Sequence, residues 1–395
     1  MTAGTLLVFQ GGGPTAVVNA TLAGVLEGSR EAGVARVLGA RRGVAGLLEG
    51  DLLDLTEWSP ERIQALARAP GAALATSRHR LDKRAARRAL DLLRSHHVTA
   101  VVAIGGNDTA VSARRLLEAA AELGSALCVV HAPKTIDNDL PANDHTPGYP
   151  SAARFLALAT RGLLLDSWSV RELYSVTFLE VQGRNAGWLA ASCGLATPAE
   201  LAPHLHLLFP ERPPSSRDTL VDDLVAHSRQ LGWIVVVVPE TLRDRNRTPL
   251  AGDDPRWIDP HGHRYHRSPA ETLAQLVEAR SGRRTRVIRP GAIARSFPLT
   301  TVALDREEAR AVGRTAALWA ARGMNGVSVA IQRVSDEPYR MRLQPVPLDA
   351  LAGQERLLPD PFIGPDERSI TAAFRQYMLP LVGDLSSDHH SSWSR

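Results

Sequence analysis

The stretch Thr5-Leu6-Leu7-Val8-Phe9-Gln10-Gly11-Gly12-Gly13-Pro14 decides how the chain is read. A short apolar run closes in three glycines and a proline, and a helical pattern follows over 15–30, so the opening unit is strand, glycine loop, helix. The unit recurs. Residues 100–104 (AVVAI) lead into Gly105-Gly106-Asn107-Asp108-Thr109 and a helix carrying Val111, Leu116, Leu117 and Ala120. Residues 127–130 lead into Pro133-Lys134-Thr135-Ile136-Asp137-Asn138-Asp139. Strands alternating with helices require a mostly parallel sheet with helices on both faces. In such sheets ligands sit beyond the carboxyl ends of the strands.

A second series starts near Tyr149 with a helix through 156–165 and a strand at 176–181. Gln182-Gly183-Arg184, a further helix, and strands at 205–208 and 234–238 follow, the last ending in Pro239-Glu240. The pattern predicts an α/β protein of two Rossmann-like lobes with mostly parallel sheets and the active site in the cleft between them. Residues 241–267 are polar, contain proline and show no period, which predicts a surface excursion. The Ser- and His-rich 385–395 predicts a frayed tail.

Composition narrows the chemistry. The 395 residues carry 46 basic and 42 acidic side chains, a net charge of +4, too mild a balance to argue for nucleic-acid binding. No apolar run approaches the ~18 residues of a membrane helix. Met1-Thr2-Ala3-Gly4 runs directly into the first strand with no leader pattern, so a cytoplasmic protein is expected. Cys128 and Cys193 lie in apolar stretches and fit buried hydrophobes better than a disulfide. Only Lys83 and Lys134 are lysines; every other basic side chain is arginine, a bias that GC-rich coding explains. A P-loop needs Gly-Lys-Ser/Thr, and neither lysine stands in that context.

Glycine loops that open helices let backbone N–H groups approach phosphate oxygens. In TIDND at 135–139, Asp137 and Asp139 can divide labour, one accepting a proton and the other holding magnesium or orienting its partner; the alternative is a plain Asx-rich turn. Lys134 beside them marks a place where a compact ammonium is needed and a guanidinium fork will not fit. Glu240 closes an apolar strand and so stands at a site edge. His261, His263 and His266 are spaced loosely like metal ligands but read as solvated loop. The Arg283, Arg284, Arg286 and Arg289 group has no interleaved aromatics, and fits an anionic small-molecule site better than nucleic acid.

These residues resemble the phosphofructokinase family. The carried motifs are GGGPTAVVNA with Gly12, Gly13 and Asn19, IGGNDTA at 104–110, PKTIDND at 133–139, EVQGRNAGW at 180–188, Pro239-Glu240 and PGAIARS at 290–296. They appear in the family's order over roughly 5–335, and HTPGYPSAARF at 145–155 resembles the pyrophosphate-using branch. The resemblance implies a phosphoryl-donor lobe at 1–140 completed by about 290–325, a sugar-phosphate lobe at 141–290, and C-terminal strands and a helix at 326–395. It implies Asp137 as the base for the sugar 1-hydroxyl with Asp139 beside it. Thr135, Gln182, Gly183, Arg184, Glu240, Arg286, Arg289 and Arg295 would meet the sugar phosphate or the transferring group. Gly12, Gly13, Gly106, Asp108 and Lys134 would face the donor, while Arg78 in TSRHR reads either as a reach to the donor phosphates or as loop decoration. Asn107 stands where the family places a magnesium-linked aspartate, so Mg²⁺ is expected on Asn107 and Asp137. ATP users of the family have glycine at the positions of Asp108 and Lys134, which makes pyrophosphate the expected donor and fructose 6-phosphate the first-choice acceptor.

Ser175, Gln182, Ala292 and Ala294 depart from the family at the sugar end, so a related sugar phosphate or polyol stays open as acceptor. An ATP-dependent kinase and a catalytically weakened sensor of sugar phosphate are the rival readings. A homodimer or homotetramer is also implied by the resemblance.

Overall fold

The computed structural model describes residues 4–252, 256–258, 264–265 and 267–386. Among them are thirteen strands. They are β1 (Thr5–Gln10), β2 (Arg36–Ala40), β3 (Leu52–Asp54), β4 (Val98–Gly105), β5 (Cys128–Pro133), β6 (Val176–Val181), β7 (Leu205–Leu207), β8 (Ile234–Pro239), β9 (Trp257–Ile258), β10 (Arg264–Tyr265), β11 (Thr285–Ile288), β12 (Val327–Asp336) and β13 (Tyr339–Pro347). The chain divides into two compact units, Met1–Ser151 with Arg295–Arg356, and Ala152–Ala294 with Leu357–Arg395.

The first unit is built on a seven-stranded sheet in the order β13-β12-β5-β4-β1-β2-β3. Its centre is parallel, and only the edge pairs β2/β3 and β12/β13 are antiparallel. Strand β1 explains why helices cover both faces. Leu6 and Val8 point into a core shared with helices Val18–Glu31 and Ala303–Ala321, while Leu7 and Phe9 point into another shared with Lys83–Ser95 and Asn107–Glu122. Alternation with period two on a strand apolar at every position gives this two-sided burial.

The sequence reading sets 326–395 apart, whereas the structure divides it. Strand β12 pairs in parallel with β5 through Val327–Val130 and Ser328–His131, and β13 folds back on it, so this hairpin completes the first sheet. Residues beyond 356 belong to the second unit, where Phe362, Phe374 and Tyr377 pack around Trp188. The second unit's own sheet is fully parallel, in the order β11-β6-β8-β7. Of the expected excursion, β9 and β10 form a short antiparallel pair. His261, His263, His266 and residues 387–395 lie outside the described residues. Cys128 and Cys193 are free thiols, and burial pushes Cys193 up to about 12.

Helix Ala303–Ala321 returns to the first unit by lying directly on Val18–Glu31. A Cβ on Gly313 would stand 1.9 Å from the Thr21 carbonyl oxygen, and one on Gly24 would stand 2.0 Å from that of Arg310. Backbone on backbone leaves no flexible atom to give way. Gly313→Ala is therefore expected to destabilise by about 1–3 kcal/mol through overpacking, although alanine is the better helix former. Urea unfolding of the two proteins checks this.

Candidate active site

Strands β1, β4 and β5 are neighbours, paired Gln10 to Ile104 and Gly105 to Pro133, so their carboxyl ends finish level. This register sets three loops side by side: Gly11–Gly13, Gly105–Asp108 and Lys134–Asp139. Helix Asn107–Glu122 starts there, with Gly106 at its N-cap and no capping side chain. Such an end presents N–H donors and a positive dipole to an anion. Thr109 packs its hydroxyl where a Cβ on Gly105 or Gly11 would lie, 2.1 and 2.4 Å away. Glycine at both positions is what lets the loops close on each other.

Lys134 is 3% exposed, and its ammonium donates to the Gly13 carbonyl at 2.7 Å. Gly12 takes φ +75°, and a Cβ there would stand 3.4 Å from the same Nζ. The Lys134 N–H donates to the Gly105 carbonyl at 2.9 Å. That carbonyl also faces His131 Nε2 at 2.9 Å, while Nδ1 lies 2.8 Å from Ser328 Oγ. Burial lowers His131 to about 4, helped by the nearby Lys134 charge, so it stays neutral at physiological pH.

The Asp137 turn is held from within. The Thr135 hydroxyl accepts from the Asp137 N–H at 3.1 Å, and the Thr146 hydroxyl donates to the Thr135 carbonyl at 2.8 Å. Asn138, between the two aspartates, is left-handed at φ +56° and accepts from the Thr146 N–H at 3.0 Å. Asp137 is half-buried and Asp139 buried. The Arg356 N–H donates to the Asp139 carbonyl at 2.7 Å.

One expectation changes here. Asn107 was expected on the metal, but its amide spans the 353–354 backbone, accepting from the Gly353 N–H at 2.7 Å and donating to the Gln354 carbonyl at 2.5 Å. It staples a distant loop to the helix start, and we assign it no metal. Arg295 was expected on the sugar phosphate or the transferring group, and its Nη1 lies 2.9 Å from where a Cβ on Gly13 would stand, at the glycine loop. Asp108 pairs with Arg80 at 3.0 Å. The exposed Arg78 follows Ser77, whose carbonyl faces the Gly12 N–H at 3.5 Å, and Thr76 donates to the Gly12 carbonyl at 2.6 Å. Thr76, Arg80 and Arg356 escaped the sequence reading, because their partners are remote in sequence and no local pattern marks them.

In the second unit, β6 and β8 pair Val181 with Pro239, so Gln182 and Glu240 emerge together, and the Glu240 N–H donates to the Val181 carbonyl at 2.9 Å. Gly183 at φ +120° and Arg184 at φ +51° turn the chain sharply there, leaving Arg184 exposed. Arg289 sits near this edge, with Nε 2.9 Å from Glu180 and Nη1 3.1 Å from Glu271. Arg286 does not. Its strand register is Thr177, near the start of β6, and it pairs with Asp166 at 2.6 Å and reaches Ser167 at 3.1 Å. Five residues of strand put that level about 17 Å from the Gln182 edge, so the structure does not gather Arg286 with Gln182 and Glu240.

The sequence matches the phosphofructokinase family model over residues 5–320. The chain belongs to the phosphofructokinase family. It is 38% identical over 389 residues to the pyrophosphate–fructose 6-phosphate 1-phosphotransferase of Xanthomonas campestris pv. campestris (strain B100), covering 97% of this chain and 92% of that one. It is 31% identical to the sulfofructose kinase of Alkalicoccus urumqiensis, covering 90% of this chain and 91% of that one. The crystal structure of the pyrophosphate-dependent phosphofructokinase from Nitrosospira multiformis matches with a TM-score of 0.85 at 30% identity, covering 97% and 93%.

Asn107→Ala should cost about 1–3 kcal/mol of stability through two lost backbone contacts. Divalent-metal dependence of activity should be unchanged. Thermal melts with a metal titration of turnover check both; a raised metal requirement would return Asn107 to the metal site.

Proposed function

We propose that this protein transfers a phosphoryl group from pyrophosphate to the 1-hydroxyl of fructose 6-phosphate, reversibly, giving fructose 1,6-bisphosphate and phosphate. The observation that carries the reading is the Lys134 ammonium at the Gly13 carbonyl, next in sequence to the Asp137 turn and on the strand beside the Gly106 helix start. That arrangement concentrates cationic and N–H donors where a small polyanion must bind, with a carboxylate at hand for a hydroxyl proton.

In the step itself the sugar 1-oxygen forms a bond to phosphorus as the bridging P–O bond of pyrophosphate breaks. The hydroxyl proton passes to Asp137, and the leaving phosphate carries its charge toward Lys134 and the glycine-loop N–H groups. Asp139 and Thr135 support the turn that aims Asp137. Gln182, Gly183, Arg184, Glu240 and Arg289 meet the sugar phosphate. Asp108, held by Arg80, stands where the inner phosphate of a nucleotide would need room, and its charge opposes that phosphate.

Among the described residues no group of three or more His, Cys, Asp or Glu could hold a metal. Magnesium does not need one, since it takes one or two carboxylates and completes its shell with water and substrate phosphates. Asp137 fits that role. Bound there, Mg²⁺ would offset charge on the phosphoryl oxygens. No described helix is long and apolar enough to cross a membrane, and a cytoplasmic homo-oligomer, dimer or tetramer, accords with the reading.

The test is a donor-by-acceptor matrix, with pyrophosphate, ATP and ADP against fructose 6-phosphate, sulfofructose, other sugar phosphates and polyols. Turnover with pyrophosphate and fructose 6-phosphate is expected, and robust ATP-driven turnover would overturn the donor assignment. Asp137→Ala should lower kcat by about 10²–10⁴ with an unchanged melt. Lys134→Met, which keeps the stem and removes the charge, should cost about 10²–10³ in kcat/KM for pyrophosphate.

A further inference from the structure

Resting on the phosphotransferase reading, we propose that His145 is a positioning residue for the transfer: clamped as an imidazolium between Asp144 and Glu308, it locks the Thr135–Asp139 turn. His145 is fully buried, with Nδ1 2.8 Å from Asp144 Oδ2 and Nε2 2.6 Å from Glu308 Oε2. Carboxylates only accept hydrogen bonds, so both ring nitrogens must donate, and a ring that donates twice is charged. The outer groups brace the clamp. Arg333 donates to Asp144 at 3.1 Å from Nη2, and the Tyr339 hydroxyl donates to Glu308 Oε1 at 2.7 Å. Asp305, one turn before Glu308, is buried with its oxygens on the Gly148 and Ser151 N–H groups and the Ser151 hydroxyl.

The clamp reaches the chemistry through the neighbouring residue. Thr146 supplies two of the hydrogen bonds that hold the turn, to Asn138 Oδ1 and the Thr135 carbonyl. Asn138 lies between Asp137 and Asp139 in a left-handed conformation, so its placement sets the direction of both carboxylates. Other anchors tie the segment to β12: the Asp144 N–H donates to the Ile331 carbonyl at 2.8 Å, and Asn143 accepts from the Ile331 N–H at 3.2 Å. Arg356 donates to the Asp144 carbonyl at 2.6 Å while its N–H holds Asp139. Residues 143–146 are thus a strut from the sheet to the catalytic turn, with the imidazolium as its central pin. A shift of about 1 Å at a catalytic group can cost a hundredfold in rate.

Burial alone would lower His145; the Glu308 charge and the hydrogen bonds to both carboxylates outweigh it and hold the ring at about 9. Burial would raise Asp144, yet the His145 contact and the Arg333 charge keep it below its ordinary value. With a folded value above the unfolded 6.5, the His145 contribution is full below about 6.5 and disappears as pH climbs through about 9.

Wild-type kcat, at saturating pyrophosphate and fructose 6-phosphate, should therefore fall on the alkaline side with an apparent pKa near about 9. Glu308→Gln keeps the shape of the clamp and removes one charge; it should move that limb down by about one pH unit or more. His145→Gln should lose about ten- to hundredfold in kcat with KM for the sugar phosphate within about twofold. A merely structural histidine would shift the melting temperature and leave the kcat profile in place. An active wild type with flat kcat to pH 10, a Glu308→Gln limb that superimposes on wild type, or a folded His145→Gln at near-normal kcat overturns the inference. Should His145→Gln fail to fold, the wild-type and Glu308→Gln profiles decide. A wild type silent with pyrophosphate at every pH sinks the phosphotransferase reading and this inference with it.

Discussion

The hydrogen bond from the Lys134 ammonium to the Gly13 carbonyl is the constraint around which the first unit is arranged. A charge at 3% exposure is tolerated only where polar groups replace water. Lys134 extends from the end of β5, and Gly13 follows β1, two strands away across β4. The bond closes only if all three strands stop at one level. The parallel register of β1, β4 and β5 meets that condition, and Gly12 in a left-handed conformation helps to set the loop beneath the ammonium. Sheet order, glycine placement and one lysine are therefore a single solution. Changing any of them alone leaves a buried charge exposed to bad geometry.

Much of this was legible because it is local. Strand, glycine loop and helix are written consecutively at 5–31 and 98–122, strand and acidic turn at 128–139, and period-two burial on β1 follows from its unbroken apolar run. The lysine stood out because arginine had replaced it almost everywhere else. What stayed hidden depends on residues distant in sequence. Asn107 looks like a metal ligand from its motif, yet residues 353–354 take both ends of its amide. The motif of Arg295 left the sugar phosphate and the transferring group both open, and only tertiary packing brings it to Gly13. Arg80 reaches Asp108 from a loop whose local pattern suggested Arg78 instead.

The second unit shows the same division. Its parallel strands place Gln182 and Glu240 together by register, a consequence of two apolar runs ending alike. The arginines of β11 could not be sorted that way, since a cluster at 283–289 reads as one patch. On the strand they separate along its length. Arg289 stands beyond the end of β11 and meets Glu180 and Glu271, whereas Arg286 lies level with Thr177 and meets Asp166. Their ion pairs are part-exposed, so their stabilising effect is small and solvent-screened. Position along the strand, more than pairing strength, separates an arginine at the site edge from one remote from it.

Two buried histidines near the Asp137 turn show how partner chemistry sets a charge state that residue type cannot. His131 faces a carbonyl and a hydroxyl with the Lys134 charge nearby, and burial leaves it neutral with a value of about 4. His145 faces two carboxylates, and the same burial is overcome, holding it at about 9. Neither could exchange places. A charged ring at 131 would add a second buried cation beside Lys134. A neutral ring at 145 would leave one carboxylate oxygen facing an unprotonated nitrogen, two acceptors with no proton between them. Glu308, whose charge does most to hold His145 protonated, and Ser328, which meets His131 Nδ1, both come from the C-terminal part of the first unit. That part completes the sheet through β12 and β13 and also supplies the carboxylate that keeps His145 charged, so both depend on the return of the chain to its first unit.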